Sequence, residues 1–355
     1  MQSLDEKERD IFEVVGEKGL FSVEKQSVKL SERDLSGTGQ IPVFSSQTSN
    51  NGVMGFTNKV ADFFIKDTPA LIFGDHTKSM DISNHSFCAA DNVKVLRPQN
   101  IPFDALFYVS CAWKKRIPDM GYARHWRKAK KVGIELPVTD SGEPDYAYMA
   151  EYAQQKRNAM LAKYRAYVEA RIAELGEVAE IPALDEKEWK PIFISSMFEL
   201  VRGRENNMAM LEDGDTPLIS AKANNNGLKG FVHNPKKIIA GQCITLNNDG
   251  DGGAGLAYYQ PANMALDSHV TALVPLIDMS AFVMLFIAKC ISGLHGFFGH
   301  GLSISNPRAK RLRIMLPVTD SGEPDYKYME QYSKNMMLRK YQQYLTFLQQ
   351  RSDAR

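Results

Sequence analysis

The sequence predicts an α+β protein built as two tandem mixed α/β domains, each followed by a long helix. Three observations lead there. The eleven residues LPVTDSGEPDY occur twice, as Leu136–Tyr146 and as Leu316–Tyr326, 180 positions apart. Weaker matches carry the repeat through most of the chain. After each copy of LPVTDSGEPDY, the spacing of apolar residues changes from strand-like to helical. At 355 residues, the length suits two domains of about 150 residues each. The expected boundaries are 1–143 for the first domain, 144–180 for the first long helix and a linker, 181–323 for the second domain and 324–355 for the second helix.

Laid side by side, the copies match block by block. Phe21-Ser-Val answers Phe198-Glu-Leu, and IPVFSSQTSNNGVMGF (Ile41–Phe56) answers TPLISAKANNNGLKGF (Thr216–Phe231). DNVKVLRP (Asp91–Pro98) answers SHVTALVP (Ser268–Pro275). The offset drifts between 175 and 180, as expected when short insertions fall in loops on a shared scaffold. Each Asn-Asn-Gly follows an alternating strand pattern. Asn51-Gly52 and Asn226-Gly227 read as two-residue hairpin turns, which need positive φ at both positions. Ala70–Phe73 and Cys243–Leu246 are the next strands, then Val93–Leu96 and Val270–Val274. Helices follow at Phe103–Trp113 and Ser280–Ile291, and strands return at Ile134–Val138 and Arg313–Val318.

Tyr146–Leu175 carries Met149, Tyr152, Met160, Tyr164, Val168, Ile172 and Leu175 at three- and four-residue steps. Tyr326–Gln350 carries Met329, Tyr332, Met336, Tyr341, Tyr344, Leu345 and Leu348. Each is a long amphipathic helix. Pro144 and Pro324 are expected in the first turn, with Asp145 and Asp325 at the positive helix end. Two readings of the stripes stand: each helix docks on its own domain, or the two helices pair.

Composition excludes several classes. The chain has 44% hydrophobic residues and a net charge of +1. Its most apolar run, Ser280–Phe298, is broken by Lys289 and His295, so a buried helix is expected rather than a membrane span. The opening MQSLDEKERD is polar and carries no export signal, so a cytoplasmic protein is expected. Cys88, Cys111, Cys243 and Cys290 lack CxxC spacing and read as reduced thiols. His76, His85 and Cys88 meet no zinc spacing. There is no phosphate loop and no methyltransferase motif. Gly250-x-Gly252-x-x-Gly255 matches a dinucleotide fingerprint in form, but LAYYQP follows it where a helix is required. It is either a turn presenting backbone N–H groups to a phosphate or a plain connector.

Charge distribution says more than its total. Lys114–Lys131 holds eight Lys or Arg and one acid, and Arg308–Arg313 holds four and none. Arg127, Lys128, Lys130 and Lys131 precede the strand at Ile134, as Arg308, Lys310 and Arg311 precede its match. Basic residues recurring at equivalent places point to phosphate contact.

The repeated hairpin Ser-x-x-x-x-Asn-Asn-Gly-x-x-Gly-Phe, the glycine turn Gly250–Gly255 and the LPVTDSGEPDYxYM junctions together resemble the DNA-specificity (S) subunits of type I restriction–modification systems, and the similar S subunits of type IIB enzymes. The resemblance covers nearly the whole chain. It departs in the first copy, where Gly74-Asp-His-Thr-Lys-Ser stands in place of the glycine turn. It implies two target recognition domains, each reading half of a split asymmetric site on double-stranded DNA. It also implies helices paired as an antiparallel coiled coil with pseudo-twofold symmetry, and two recruited methyltransferase subunits, with a restriction subunit joining through them. No catalytic residue, metal or cofactor is expected in the chain itself.

The DNA-binding candidates are Ser45, Gln47, Thr48, Asn50, Lys78, Arg124, Arg127, Lys128, Lys130 and Lys131 in the first copy. In the second they are Ser220, Lys222, Asn224, Lys229, Gly252, Gly253, Arg308, Lys310 and Arg311. The partner-docking candidates are Asp145, Tyr146, Met149 and Tyr152, with Asp325, Tyr326, Met329 and Tyr332. The rival readings are an enzyme with its own nuclease or methyltransferase centre, and a DNA-binding adaptor without sequence preference.

Overall fold

The computed structural model describes residues 7–25, 29–59, 64–66, 69–121, 123–207, 210–250, 253–299 and 301–353. The chain forms two compact units, residues 1–164 and 165–355.

The first unit contains β1 (Arg9–Phe12), β2 (Phe21–Val23), β3 (Ile41–Phe44), β4 (Val53–Thr57), β5 (Phe64–Ile65), β6 (Ala70–Gly74), β7 (Met80–Ser83), β8 (Phe87–Ala89), β9 (Val93–Pro98), α1 (Phe103–Arg116), α2 (Trp126–Ala129), β10 (Ile134–Pro137) and the start of α3 (Tyr146–Leu175). Its sheets run β2-β9-β6-β7, β4-β3-β8-β5 and β1-β10. β6 lies between β9 and β7, so all five of its residues are buried, and its sequence is accordingly an unbroken apolar run. Trp113 of α1 is the keystone. Its ring lies 5.5 Å from Phe73 and 6.1 Å from Phe21, and its Nε1 donates to the Ala129 carbonyl at 3.1 Å. Truncating it to Ala would leave a cavity and remove that hydrogen bond, a loss of about 3–5 kcal/mol.

The second unit contains β11 (Trp189–Phe193), α4 (Ile194–Met197), β12 (Phe198–Arg202), β13 (Asp213–Ile219), β14 (Leu228–Val232), β15 (Ile238–Ile239), β16 (Cys243–Asn247), β17 (Ala257–Gln260), β18 (Met264–Leu266), β19 (Val270–Pro275), α5 (Ala281–Ser292), α6 (Asn306–Lys310), β20 (Arg313–Pro317) and α7 (Tyr326–Asp353). Its sheets β12-β19-β16-β17, β14-β13-β18-β15 and β11-β20 repeat the first unit strand for strand. Its core gathers Phe198, Ile244, Leu273, Met284, Ile287 and Met329. β3 pairs with β8, and β13 with β18, in parallel, a long-range contact that no local pattern announces. Among the described residues no helix is long and apolar enough to cross a membrane, and the Ser280 run becomes α5, capped by the Ser280 side chain.

Three local expectations are corrected. The hairpins are not two-residue turns. Ser45–Gly52 and Ser220–Gly227 are whole loops, with three successive positive φ values at Asn50, Asn51 and Gly52 and again at Asn225, Asn226 and Gly227. Asn and Gly tolerate that region best, which explains the repeated motif. Pro144 and Pro324 lie outside the helices, because Asp145 and Asp325 occupy the cap and accept from the N–H of Tyr148 and Tyr328 at 3.0 Å. The apolar stripes are also discontinuous. Met149 and Val168 are fully buried, but Met160 is 73% exposed. In α7 the fully buried residues include Leu338, with Asn335 nearly so, and neither was in the expected stripe.

Within the second unit, the end of α3 runs beside α7 in opposite sense. Tyr167 meets Tyr341 edge-on at 6.4 Å. Further on, Asn335 exchanges both amide hydrogen bonds with the backbone of Ala179, at 2.8 and 3.0 Å. That buried Asn is satisfied on both sides, so it fixes the linker to α7 without a desolvation penalty. Gly176, at φ +78°, ends α3 in the left-handed conformation.

Candidate nucleic-acid interface

In the second unit, the β13–β14 loop and the glycine turn after β16 form two walls of an open cleft of about 590 Å³. Ser220, Ala221, Lys222 and Lys229 line it with Asp249, Gly250, His269, Gly299, Gly301 and Ser303. Gly253 packs so tightly that a Cβ would stand 2.6 Å from the Ala221 carbonyl oxygen. Glycine is required there because the turn closes against the hairpin loop. Gly252 lies outside the described residues.

The candidate readers in the loops divide into two sets. Gln47 Nε2 donates to the Val53 carbonyl at 2.6 Å and to Ser49, and Lys222 Nζ donates to the matching Leu228 carbonyl at 3.1 Å. Both side chains therefore brace their loops. Asn50 does the same through Val53, Ser45 bonds the N–H of Gln47, and Ser220 is buried. Thr48, Asn224 and Lys229 are exposed, as is Asn50 despite its bond to Val53.

In the first unit, Asp75–Ser79 links β6 to β7 where the second unit has its glycine turn. It is held to the hairpin loop by His76 N–H donating to Ser46 Oγ and by Thr77 Oγ1 donating to the Ser46 carbonyl. Lys78 Nζ stands 3.3 Å from Asp119. Asp81 lies directly beneath Gly52, and burial raises its carboxyl above the usual range against the opposing charge of Lys114.

The basic clusters sit on α2 and α6 and on the turns that follow them. Ala129 and Ala309 are the buried anchors of these helices. Arg124, Arg127, Lys128, Lys130 and Lys131 are exposed, as are Lys310 and Arg311, while Arg308 is half-buried and bonds the Ser303 carbonyl. Two residues that the sequence did not single out position the first cluster. Asp75 Oδ1 accepts from Trp126 N–H at 2.6 Å. Buried His125 accepts from Met120 N–H at Nε2 and faces the Asp75 carbonyl with Nδ1 at 3.1 Å, so the neutral tautomer carries its proton on Nδ1.

The repeated junction is identical in structure as well as sequence. Thr139 and Thr319 close the same turn around Gly142 and Gly322. Asp145 pairs with Lys7 at 2.7 Å and Asp325 with Lys187 at 2.8 Å. Each lysine also lies over a tyrosine ring, Tyr148 or Tyr328. Tyr146 and Tyr326 pack on their own cores, and Tyr152 and Tyr332 are half-buried against Tyr108 and Phe286. Met149 and Met329 have no exposed surface, which removes them from the docking set. At each junction the Asp140–Glu143 turn or its repeat is largely exposed.

Among the described residues, no group of three His, Cys, Asp or Glu stands close enough to hold a metal. Burial pushes the Cys243 and Cys290 thiols up to about 11, far from a reactive thiolate.

Residues 186–345 match the family described as the type I restriction modification DNA specificity domain. The second unit is thus built around a domain of that class. The chain is also similar to the specificity subunit S.BcgI of a type II restriction enzyme from Heyndrickxia coagulans, with 22% identity over 311 residues that cover 86% of this chain and 88% of that one. Among solved structures it resembles a type I restriction–modification S subunit from M. genitalium, at 13% identity and TM-score 0.48, with 100% of this chain and 96% of that chain covered. The HsdS subunit from Thermoanaerobacter tengcongensis aligns at 16% identity and TM-score 0.31, over 79% of this chain and 75% of that one. Across most of its length the chain is thus similar to specificity subunits of restriction–modification systems.

Proposed function

We propose that each unit reads one half of a split, asymmetric site on double-stranded DNA. In this reading α3 and α7 pair along their length as an antiparallel coiled coil and set the distance between the half-sites. The repeated junctions dock two copies of a methyltransferase subunit, through which a restriction subunit joins. The chain itself contributes no chemistry; methyl donor and ATP belong to its partners in the cytoplasm. The domains are 1–143 and 181–323, with the helices following each.

One observation carries this reading: the same fold occurs twice with identical junctions but chemically different loops. At the matched exposed positions of the loops, Thr48 and Ser49 in one copy stand where the other has Ala223 and Asn224. The groups around each loop differ too, with Asp81 beneath one and Tyr258 beneath the other. Base edges differ in donors and acceptors, so surfaces that differ in this way select different half-sites.

Domain exchange tests it. Residues 181–323 replace residues 1–143, and the methylated motif is read in a host carrying the hybrid system. A symmetric motif built from the second half-site is expected; retention of the asymmetric motif would refute the partition. Purified alone, the chain is expected neither to methylate nor to cut DNA when supplied with methyl donor or Mg²⁺, and turnover that copurifies with it would refute this reading.

A further inference from the structure

The second unit carries an aromatic side chain that its own fold does not use. Phe297 is 71% exposed and sits in the segment 293–305 between α5 and α6; the first unit has only the shorter segment 117–125 between α1 and α2. The residues on either side of Phe297 are tied down. His295 Nδ1 bonds the Ala254 carbonyl at 2.5 Å, and the Phe298 ring packs against Gly255. Just beyond, Gly299 and Leu302 close a tight bridge, and Gly299, Gly301 and Ser303 line the cleft that also holds Lys222, Lys229 and His269. Leu302 is itself 46% exposed. The segment, tied down at His295 and Phe298, therefore leaves a phenylalanine and a leucine in water close in sequence to residues that line a lysine-bearing cleft.

Exposed apolar side chains on a fixed loop beside cationic groups suit a duplex, where an apolar wedge enters between base pairs while lysines neutralise the backbone. We propose that Phe297 is a specificity-determining residue of the second unit. It inserts against a base step of the second half-site, with Leu302 as its flank, and selects steps that unstack easily. The corresponding segment of the first unit is shorter, and the wedge is proposed for the second half-site alone. This rests on the reading of the chain as a DNA-recognition subunit.

The test uses the full-length chain. Its preferred duplex is first selected from a random pool, and 2-aminopurine is then placed at successive positions of the second half-site. With the wild-type chain, one position brightens on binding as its stacking is lost. Phe297→Ala removes that signal and weakens binding to the selected duplex by on the order of tenfold. Its affinity for unrelated duplex stays the same, and Phe297→Trp restores both readouts. If the wild-type chain selects no sequence, the reading of the chain as a recognition subunit fails and this proposal with it. If it selects one and Phe297→Ala binds it normally with the same fluorescence, only the wedge is refuted. A Phe297→Ala chain that binds DNA normally but assembles poorly with methyltransferase subunits would equally overturn the wedge, because the ring would then be a protein contact.

Discussion

Lys187 Nζ donates to Asp325 Oδ2 at 2.8 Å, fixing the residue that caps α7; Lys7 does the same for Asp145 and α3 at 2.7 Å. The most constant stretch of the chain is thereby a mechanical joint: a turn, a cap and an ion pair that aim a long helix from its domain. Asp325→Ala removes cap and ion pair together and is expected to cost at least about 1 kcal/mol, read as a lower urea midpoint. An unchanged midpoint would deny the joint its structural role.

The same carboxyls set an acid limit. Burial works to raise Asp145 and Asp325, but the lysine hydrogen bond, the N–H of Tyr148 or Tyr328 and the lysine charge outweigh it, so both lie below the usual carboxylate range. Such a group contributes stability above its unfolded value of about 3.9, and the contribution is lost as pH falls through the lower folded value. Lys7 is raised, chiefly by its hydrogen bond with Asp145, so its share is lost only as pH climbs beyond the ordinary lysine value of about 10.4. Stability should hold through neutral pH and fall below about pH 4. Asp325→Asn keeps a capping side chain but no charge, and should flatten that fall in chemical unfolding between pH 3 and 7.

Met329→Ala should destabilise the second unit by about 2–5 kcal/mol, since the side chain is fully enclosed. Met160→Ala, at a 73% exposed position of α3, should change stability by less than about 0.5 kcal/mol. Differential scanning calorimetry separates the two. Equal effects would mean that the helix stripe is buried as one continuous surface.

Replacing Lys128 and Lys130 with Ala should lower the log–log salt slope of DNA binding by about 1.8, at about 0.9 per phosphate contact. All duplex sequences should weaken alike. An unchanged slope would leave these exposed lysines as solvated charge.

Inserting seven residues at matched positions in α3 and α7 adds about 10 Å of helix. The methylated half-sites should keep their bases while the spacer between them grows by about three base pairs. Activity on the original spacer would show that something other than helix length measures the distance.

The duplication, the strands at Ala70–Phe73, Val93–Leu96 and Ile134–Val138 with their repeats, and both long helices were legible in the sequence, because local periodicity and self-similarity record them directly. The parallel β3–β8 and β13–β18 contacts were not, since two-residue pairings between distant segments leave no period. The hairpin loops were misread as minimal turns because Asn-Gly records positive φ but not loop length. Gln47 and Lys222 read as free polar groups until their bonds to Val53 and Leu228 were seen. The Lys7 and Lys187 pairs could have been found: DEKE stands at 5–8 and again at 185–188, at the same 180 separation as the junction.

The self-contained joint has a genetic consequence. A crossover within the two stretches encoding Leu136–Tyr146 and Leu316–Tyr326 would excise 180 residues without altering a letter at the scar. Met329 and Tyr332 would fall where Met149 and Tyr152 stood, Asp145 would still find Lys7, and the abbreviated gene would encode one domain with one correctly aimed helix. Exchange between two such genes at the same seam would combine domains of different ancestry with no mismatch at the join, so the two domains can be renewed by shuffling rather than by point mutation.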